Sequence, residues 1–218
     1  MTRIDLKYLN DLEVWQTCPV EDLWVFDKLL LSKMLEYTCG PKGVSVPKSD
    51  TYIIRPCVNL LGMGRGAYFK ELNKDTSEIE DGHFWCEVFS GRHLSFDYVD
   101  GEQILCVEGI KQQGDPIYRW REWKKTNDVF PLPDLLKPLV SRHKCMNLEV
   151  IGDKIIEVHF RLNSNWKDAD YSSIIPFFEG DETPKGLEGY TYKSDPNFKR
   201  LGFFVKSMTR IDTPFISI

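Results

Sequence analysis

The sequence lacks several features that would place the protein in a specialised class. No apolar run approaches the ~20 residues that a helix needs to cross a bilayer, so we expect no membrane partner. The six cysteines lie far apart, with neither a Cys-x-x-Cys pair nor a Cys/His cluster. Cys57, Cys86 and Cys106 lie within or beside apolar runs, so we interpret them as reduced core residues of a cytoplasmic protein. The net charge of −5 argues against a protein that coats nucleic acid.

The sequence does contain enough apolar side chains for a sizeable core. Of its 218 residues, 42% are hydrophobic and 13% are aromatic, which suits one large domain or two tightly joined lobes. Residues 22–38 carry apolar side chains close to a 3.6-residue period, and this predicts a helix that ends at Gly40-Pro41. Residues 44–47 and 52–55 are predicted to be short strands.

The remainder of the chain alternates predicted hairpins with one further helix, over residues 134–144. Further strands are predicted over residues 84–89, 93–99, 103–110, 146–151 and 155–161. The dipeptide Asp100-Gly101 predicts a tight hairpin turn. Residues 164–218 show no clear period, but their aromatic side chains indicate that they pack on the body of the protein. The predicted class is therefore α+β, with mixed or antiparallel sheets.

A glycine-rich loop follows the strand predicted at residues 52–55. The strand ends with Arg55, and Gly62, Gly64 and Gly66 then occupy every second position. Glycines spaced in this way let the backbone adopt positive φ and bring its N–H groups close to an anion. The pattern therefore favours a phosphate-binding loop, and the alternative is a flexible hairpin with no ligand.

Four segments occur in an order that resembles the ATP-grasp superfamily. They are the Asp27-Lys28 helix leading to Gly43-Val-Ser-Val-Pro47, the Arg55 strand with its glycine loop, the run Glu87 to Asp97, and the hairpin from Asn147 to Asn163. The resemblance covers about residues 24–163. It implies a single domain over 1–218, with two α+β lobes at 22–85 and 86–163 that grip ATP, and an extra C-terminal segment at 164–218.

The resemblance also implies which residues bind the nucleotide. Lys28 and Arg55 would face the α- and β-phosphates, and the alternatives are a solvated lysine and an edge-strand ion pair. The glycine loop would close over the β- and γ-phosphates, and residues 87–89 would form a hinge against adenine. The implied ATP-binding residues are Lys28, Arg55, Gly62, Gly64, Arg65, Gly66, Glu87, Val88 and Phe89.

Two glutamates are the implied ligands of Mg²⁺, which prefers hard oxygen donors. If Gly152-Asp153-Lys154 is a three-residue turn, Glu149 lies opposite Glu157 on one face, where two acids repel each other unless a cation separates them. A two-residue turn would break this pairing and make Asn147 the alternative. Asn163 is the third implied ligand.

Arg161 matches the arginine that, by the resemblance, stabilises charge developing on the reacting carboxylate. Two departures from the family pattern limit the comparison. His159 stands where the family usually has Asn, so either Asn163 substitutes for it or the metal site is altered. About 26 residues precede the Asp27-Lys28 helix, where typical members carry a substrate-binding domain, so the resemblance implies a bare ATP-binding core. The acceptor site would then come from the C-terminal tail, from residues 110–130 or from a partner protein.

The implied function is ATP- and Mg²⁺-dependent ligation of a small-molecule or peptide carboxylate to an amine or thiol, through an acyl phosphate. Two alternatives stay open. One is a nucleotide-binding module that has lost catalysis. The other is an interaction protein without a nucleotide, in which the glycine loop and the glutamates are ordinary surface features.

Overall fold

The computed structural model describes residues 9–166 and 171–208, whose strands form two antiparallel sheets of four and eight strands. The α+β class with antiparallel sheets is therefore confirmed. Every helix in the described part of the chain is too short or too polar to cross a bilayer. The predicted C-terminal segment 164–218 includes residues 167–170 and 209–218, which lie outside the described residues.

Short helices occupy the start of the described chain. Helix α1 (Asp11–Thr17) begins at a capping box, in which Asn10 and Glu13 each accept the other's backbone N–H with a side-chain oxygen. A 3-10 helix (Val20–Phe26) follows, and helix α2 (Lys28–Met34) begins two residues later.

The prediction of a single helix over residues 22–38 is wrong, because the helical conformation is interrupted at Asp27. This residue adopts extended dihedral angles, φ −83° and ψ 99°, and its carboxylate accepts two backbone N–H groups at the start of α2. The Gly-Pro signal lies beyond the end of α2, in strand β1 (Cys39–Pro41). The apolar period does not continue across the break: Leu30 and Met34, which fit it, are exposed, whereas Leu31 is buried in one core cluster with Phe26.

The first sheet has the strand order β1-β4-β2-β3. Its other strands are β2 (Asp50–Pro56), β3 (Tyr68–Leu72) and β4 (His83–Glu87). The strand predicted at 52–55 lies within β2, and the strand predicted at 84–89 overlaps β4. The strand predicted at 44–47 is wrong, since these residues form a loop in which the carbonyl of Val44 accepts the indole N–H of Trp85.

The second sheet has the order β11-β12-β10-β7-β6-β5-β8-β9. Its strands are β5 (His93–Val99), β6 (Glu102–Ile110), β7 (Glu122–Lys125), β8 (Cys145–Ile151), β9 (Lys154–His159), β10 (Tyr171–Phe178), β11 (Tyr190–Asn197) and β12 (Arg200–Ser207). The turn predicted at Asp100-Gly101 is confirmed, with φ of 54° and 87°.

The β8–β9 hairpin shows which of the two possible turn lengths the chain adopts. Ile151 pairs with Lys154, so the turn has two residues. A bulge at Ile156 then shifts the register by one position, and Glu149 lies directly opposite Glu157. The expectation that a two-residue turn would break this pairing is therefore wrong, because the bulge restores it.

The helix predicted over residues 134–144 is also wrong, since only a 3-10 helix (Lys137–Ser141) forms there. Leu136, just before this helix, and Leu139 within it are buried, at 0% and 2% exposure. Their three-residue spacing suits a 3-10 helix, in which positions i and i+3 share a face.

The described part of the C-terminal tail, residues 164–166 and 171–208, packs on the body, as its aromatic residues indicated. Tyr171, Phe178 and Phe203 are all buried, and the strands that carry them extend the second sheet beyond β7. The division into lobes at 85–86 stays a prediction; this boundary falls within β4, which pairs with the first sheet.

Candidate functional site

A cleft of about 900 Å³ lies between the two sheets. The first sheet contributes Arg55 and Phe69 to its lining, and the second contributes His93, Glu149 and Glu157. Its volume falls within the range of small-molecule sites, and its lining combines apolar walls with a few charged groups, as such sites usually do.

Glu157, on the second sheet, forms ion pairs with two cations from other parts of the fold. Its Oε1 accepts hydrogen bonds from Lys28 Nζ at 2.5 Å and from Arg55 Nη2 at 3.1 Å. Burial acts to raise the pKa of Glu157, but the neighbouring cations hold it well below its usual range. Burial lowers the pKa of the Lys28 ammonium, although Glu157 opposes the shift. The sequence thus predicted Lys28 and Arg55 as neighbours, and the structure places both on one carboxylate.

A second carboxylate, Asp11 on α1, holds the far side of this cluster. It accepts two hydrogen bonds from the Arg161 guanidinium, from Nε at 2.7 Å and from Nη2 at 2.6 Å. The same carboxylate lies 3.0 Å from His159 Nδ1. Burial acts to lower the pKa of His159, but Asp11 and Glu157 raise it to about 9. Arg161 and His159 are therefore oriented by a residue outside the predicted motifs.

Three groups are close enough to share a metal ion. Ligand atoms of Glu149, Glu157 and His159 all lie within 4.8 Å of one another. The Nε2 atom of His159 is buried without a hydrogen-bond partner among the described residues and lies 3.4 Å from Glu157 Oε2. Two carboxylates and an imidazole that has released its proton fit a divalent cation, with a donor set better suited to Mn²⁺ or Zn²⁺ than the all-oxygen set predicted.

Asn163, the predicted third ligand, lines the same cleft but is engaged elsewhere. Its side-chain carbonyl accepts the N–H of Asn165, and its side-chain amide donates to Ser95 at 3.2 Å. Asn147, the other predicted candidate, donates to Ser95 and to Asp97, at 2.8 Å each. Burial raises the pKa of Asp97 to about 6. These amides therefore belong to a polar network beside the two glutamates, Glu149 and Glu157, which together we call the acid cluster.

The glycine loop reaches the cleft at two of its three glycines. Gly62 and Gly64 line the cleft, with φ of 66° and 60°, while Gly66 packs against Pro56 and His83. All three have positive φ, as their spacing predicted. The Arg65 side chain is directed to the tail, where its Nη2 donates to Asn197 at 2.7 Å and its guanidinium lies over the Phe198 ring.

The predicted hinge is divided between the cleft and the first sheet. Val88 and Phe89 line the cleft. Glu87 instead pairs with Thr38, since its N–H donates to the Thr38 carbonyl and its carboxylate accepts the Thr38 N–H. The backbone N–H of Glu87 is therefore already engaged, and residues 88–89 provide the open part of the hinge.

Several residues at the site were missed by sequence reasoning. The principal one is Asp11; the signal that could have located its helix is the Asn10–Glu13 capping box. His93 was also missed; its Nε2 lies 3.3 Å from Glu149, and its ring meets the Trp120 ring edge-on at 4.4 Å. No local signal in the sequence points to these contacts, which depend on distant parts of the chain.

Comparison with known sequences adds nothing to this picture, because no family model and no curated protein matches the chain. Solved structures do resemble it. The chain is similar to an L-amino acid ligase of Bacillus licheniformis at 11% identity and a TM-score of 0.52, over 84% of this chain and 67% of the other. It is also similar to a carboxyaminoimidazole ribonucleotide synthase of Aspergillus clavatus, crystallised with ATP, at 10% identity and a TM-score of 0.50, over 90% and 73%.

A third structure, an Archaeoglobus fulgidus protein assigned to the ATP-grasp superfamily, has 14% identity and a TM-score of 0.46 over 85% of this chain and 64% of the other. The chain thus spans roughly two thirds of the length of the structures it resembles. At identities this low the likeness concerns the fold alone, which this chain shares with the ligase of Bacillus licheniformis and the synthase of Aspergillus clavatus.

Proposed function

We propose that the protein is an ATP-dependent ligase that activates a carboxylate as an acyl phosphate and transfers it to an amine or thiol. The observation that carries this proposal is a cluster of charged side chains at the cleft. Lys28 from α2 and Arg55 from the first sheet contact Glu157, which lies beside Glu149 and His159 on the second sheet. Cations beside a potential metal site, in a cleft with a glycine-rich loop, suit a nucleoside triphosphate.

The phosphate-binding groups are those that now neutralise Glu157. Lys28 and Arg55 would turn to the α- and β-phosphates, where the Arg55 fork can bind two oxygens at once. Gly62 and Gly64 would bring backbone N–H groups over the β- and γ-phosphates. Val88 and Phe89 would supply the apolar wall for adenine. The ATP-bound neighbour from Aspergillus clavatus supports this use of the fold.

Glu149, Glu157 and His159 would hold a divalent cation, Mg²⁺ or Mn²⁺. Bound there, the cation would neutralise charge on the β- and γ-phosphates. Glu149 is held by His93 and His159 by Asp11, so the protein orients two of the three ligands through outer contacts. The imidazole favours Mn²⁺ over Mg²⁺, because neutral nitrogen is a poor ligand for Mg²⁺.

The reaction would proceed in two displacements. An oxygen of the substrate carboxylate attacks the γ-phosphorus, the bond to the bridging oxygen breaks, and ADP leaves. The amine or thiol then attacks the acyl carbon, phosphate leaves with the electron pair of the C–O bond, and the nucleophile's proton passes to solvent. Arg161, held rigidly by Asp11, would stabilise the negative charge that develops on the acyl group.

A nucleotide-binding module without catalysis is the second candidate. The observation that favours it is His159, which replaces the usual amide and carries a pKa raised to about 9. A protonated imidazole cannot ligate a metal, so a nucleotide bound through Lys28 and Arg55 alone would meet no metal-assisted chemistry.

We expect ATP to bind at least tenfold more tightly with Mg²⁺ or Mn²⁺ than without, and we expect Glu149→Gln to abolish this gain. Glu149 is the better test position because its ion pair is with His93, whereas Glu157 also neutralises two buried cations. Calorimetric titration of ATP, with and without each metal, measures the effect. Glu102→Gln, at an exposed position outside the cleft, is the matched control.

Turnover separates the two candidates. Phosphate release that requires both a carboxylate and an amine or thiol supports the ligase. ATP binding without phosphate release from any pair in a broad panel supports the binding module. Absence of ATP binding, or binding indifferent to metal and to Glu149→Gln, would refute the metal-nucleotide site.

A further inference from the structure

The end of the cleft away from the acid cluster is built by the tail. Phe178, Arg200 and Asn197 lie in one row across β10, β12 and β11, and all three line the cleft. Leu201 is a bulged residue of β12, so Arg200 and Phe203 project from the same face of the sheet. The bulge thus places a cation and an aromatic ring side by side at this end.

Arg200 is a buried cation with a weakly placed partner. Its side chain is 9% exposed, and its guanidinium lies 4.0 Å from the centre of the Phe203 ring. Its Nη2 donates to the carboxylate of Asp195 at 2.8 Å and its Nε to the carbonyl of the same residue at 3.2 Å, but the Asp195 side chain is 56% exposed. Buried charges are normally matched by buried, hydrogen-bonded partners. Burial lowers the pKa of Arg200, which reflects this incomplete compensation.

The surroundings of Arg200 suit an apolar body attached to an anion. Tyr118 lines the cleft beside the row, with its ring 6.2 Å from that of Phe178. Trp120 and Phe203 continue the aromatic wall along the second sheet. A planar or branched apolar group on this wall would place a terminal carboxylate within reach of the Arg200 fork.

We propose that this end of the cleft is a carboxylate-binding subsite in which Arg200 holds an anionic group of the second, nucleophile-bearing substrate. Four strands lie between β12 and β8 in the sheet, so this group is distinct from the carboxylate that would react beside Glu149. The identity of the ligand as a substrate rests on the proposed function. The second substrate is accordingly elongated, with an anion at one end, an apolar body, and the amine or thiol at the other.

The test uses two probes of the same shape, phenylacetate and the neutral phenylacetamide. Phenylacetate is expected to bind the full chain at least tenfold more tightly than phenylacetamide, measured by calorimetry. Arg200→Met, which keeps the length of the side chain, is expected to remove this preference. Arg121→Met is the matched control, because Arg121 is half-exposed, pairs with Asp115 and lies outside the cleft lining. Equal binding of both probes, or an unchanged preference in Arg200→Met, overturns the proposal.

A second variant guards against misfolding of Arg200→Met. Asp195→Asn removes the protein's own carboxylate from Arg200 at an exposed position, so phenylacetate is expected to bind several-fold more tightly. A merely structural Arg200–Asp195 pair predicts no such gain. ATP titrated against each variant should be unaffected; a loss in Arg200→Met would assign Arg200 to the nucleotide phosphates and overturn the subsite. Failure of the wild type to bind ATP would refute the ligase while leaving the phenylacetate result standing.

Discussion

Replacement of Glu157 by glutamine is expected to lower the free energy of unfolding by about 3–5 kcal/mol, a large part of the stability of a typical domain. The reason is that Glu157 neutralises two cations whose side chains are only 7% and 9% exposed, Lys28 and Arg55. Glutamine keeps the shape but leaves both charges without an anion. Urea unfolding, followed by tryptophan fluorescence, measures the loss.

The double variant Lys28→Met/Glu157→Gln separates a charge effect from a packing effect. With Lys28 removed, one of the two uncompensated charges is gone, so the double variant should be more stable than Glu157→Gln alone. The exposed control Glu102→Gln should stay within ~0.5 kcal/mol of wild type. Two results would contradict this prediction: a loss of unfolding free energy below ~1 kcal/mol in Glu157→Gln, or strictly additive effects of the Lys28 and Glu157 substitutions. Either would mean that Lys28 and Arg55 are hydrated and that their charges are not held by Glu157.

The hairpin that carries Glu149 and Glu157 shows what the sequence can and cannot settle. Apolar strand-like runs and the sequence Gly152-Asp153-Lys154 predict the two strands and a turn between them, because both signals are local. The bulge at Ile156 has no local signature, yet it alone decides that Glu149 faces Glu157. The register of a site can therefore depend on one residue that neither composition nor period identifies.

The predictions of the helices were wrong for a related reason. The apolar period over residues 22–38 does not match one buried face, since Leu30 and Met34 are exposed, and Asp27 interrupts the helix because its side chain caps α2. Asp11 was missed since its role is to reach Arg161, 150 positions later in the chain. The local strand and turn signals were sufficient to predict the α+β class with antiparallel sheets. The detailed contacts come from tertiary packing, which a single sequence does not display.

The C-terminal tail contains strands for which the sequence shows no periodic pattern. Residues 171–208 lack a clear period because the inner face of their sheet is only partly buried and two bulges interrupt β12 pairing with β10. Their aromatic content predicted packing but not strands. Consequently Arg200, the residue on which the proposed carboxylate subsite depends, carries no recognisable signal in the sequence.

Replacement of Asp22 by asparagine is expected to destabilise the protein by about 3 kcal/mol at pH 7.5. Asp22 is fully buried and accepts hydrogen bonds from Arg142 and from His143 Nε2, the latter at 2.8 Å. The His143 ring in turn stacks on Phe160 at 3.6 Å. Asp22 thereby fastens the 3-10 helix before α2 to the segment that precedes β8. Asp134→Asn, whose carboxylate is 94% exposed, should remain within ~0.5 kcal/mol of wild type.

The pH dependence of this difference tests the electrostatic origin. Burial acts to raise the pKa of Asp22, but Arg142 and His143 hold it below its usual value; burial lowers the pKa of His143, and Asp22 opposes that shift. Both groups therefore contribute stability that is present above their unfolded pKa values, about 3.9 and 6.5, and is lost as the pH falls. Without Asp22 the pKa of His143 falls further, so the gap between wild type and Asp22→Asn should widen from pH 6.5 to 5 and narrow below pH 4. A gap that stays constant from pH 7.5 to 5 would show that asparagine disturbs packing rather than charge, because packing losses do not depend on protons.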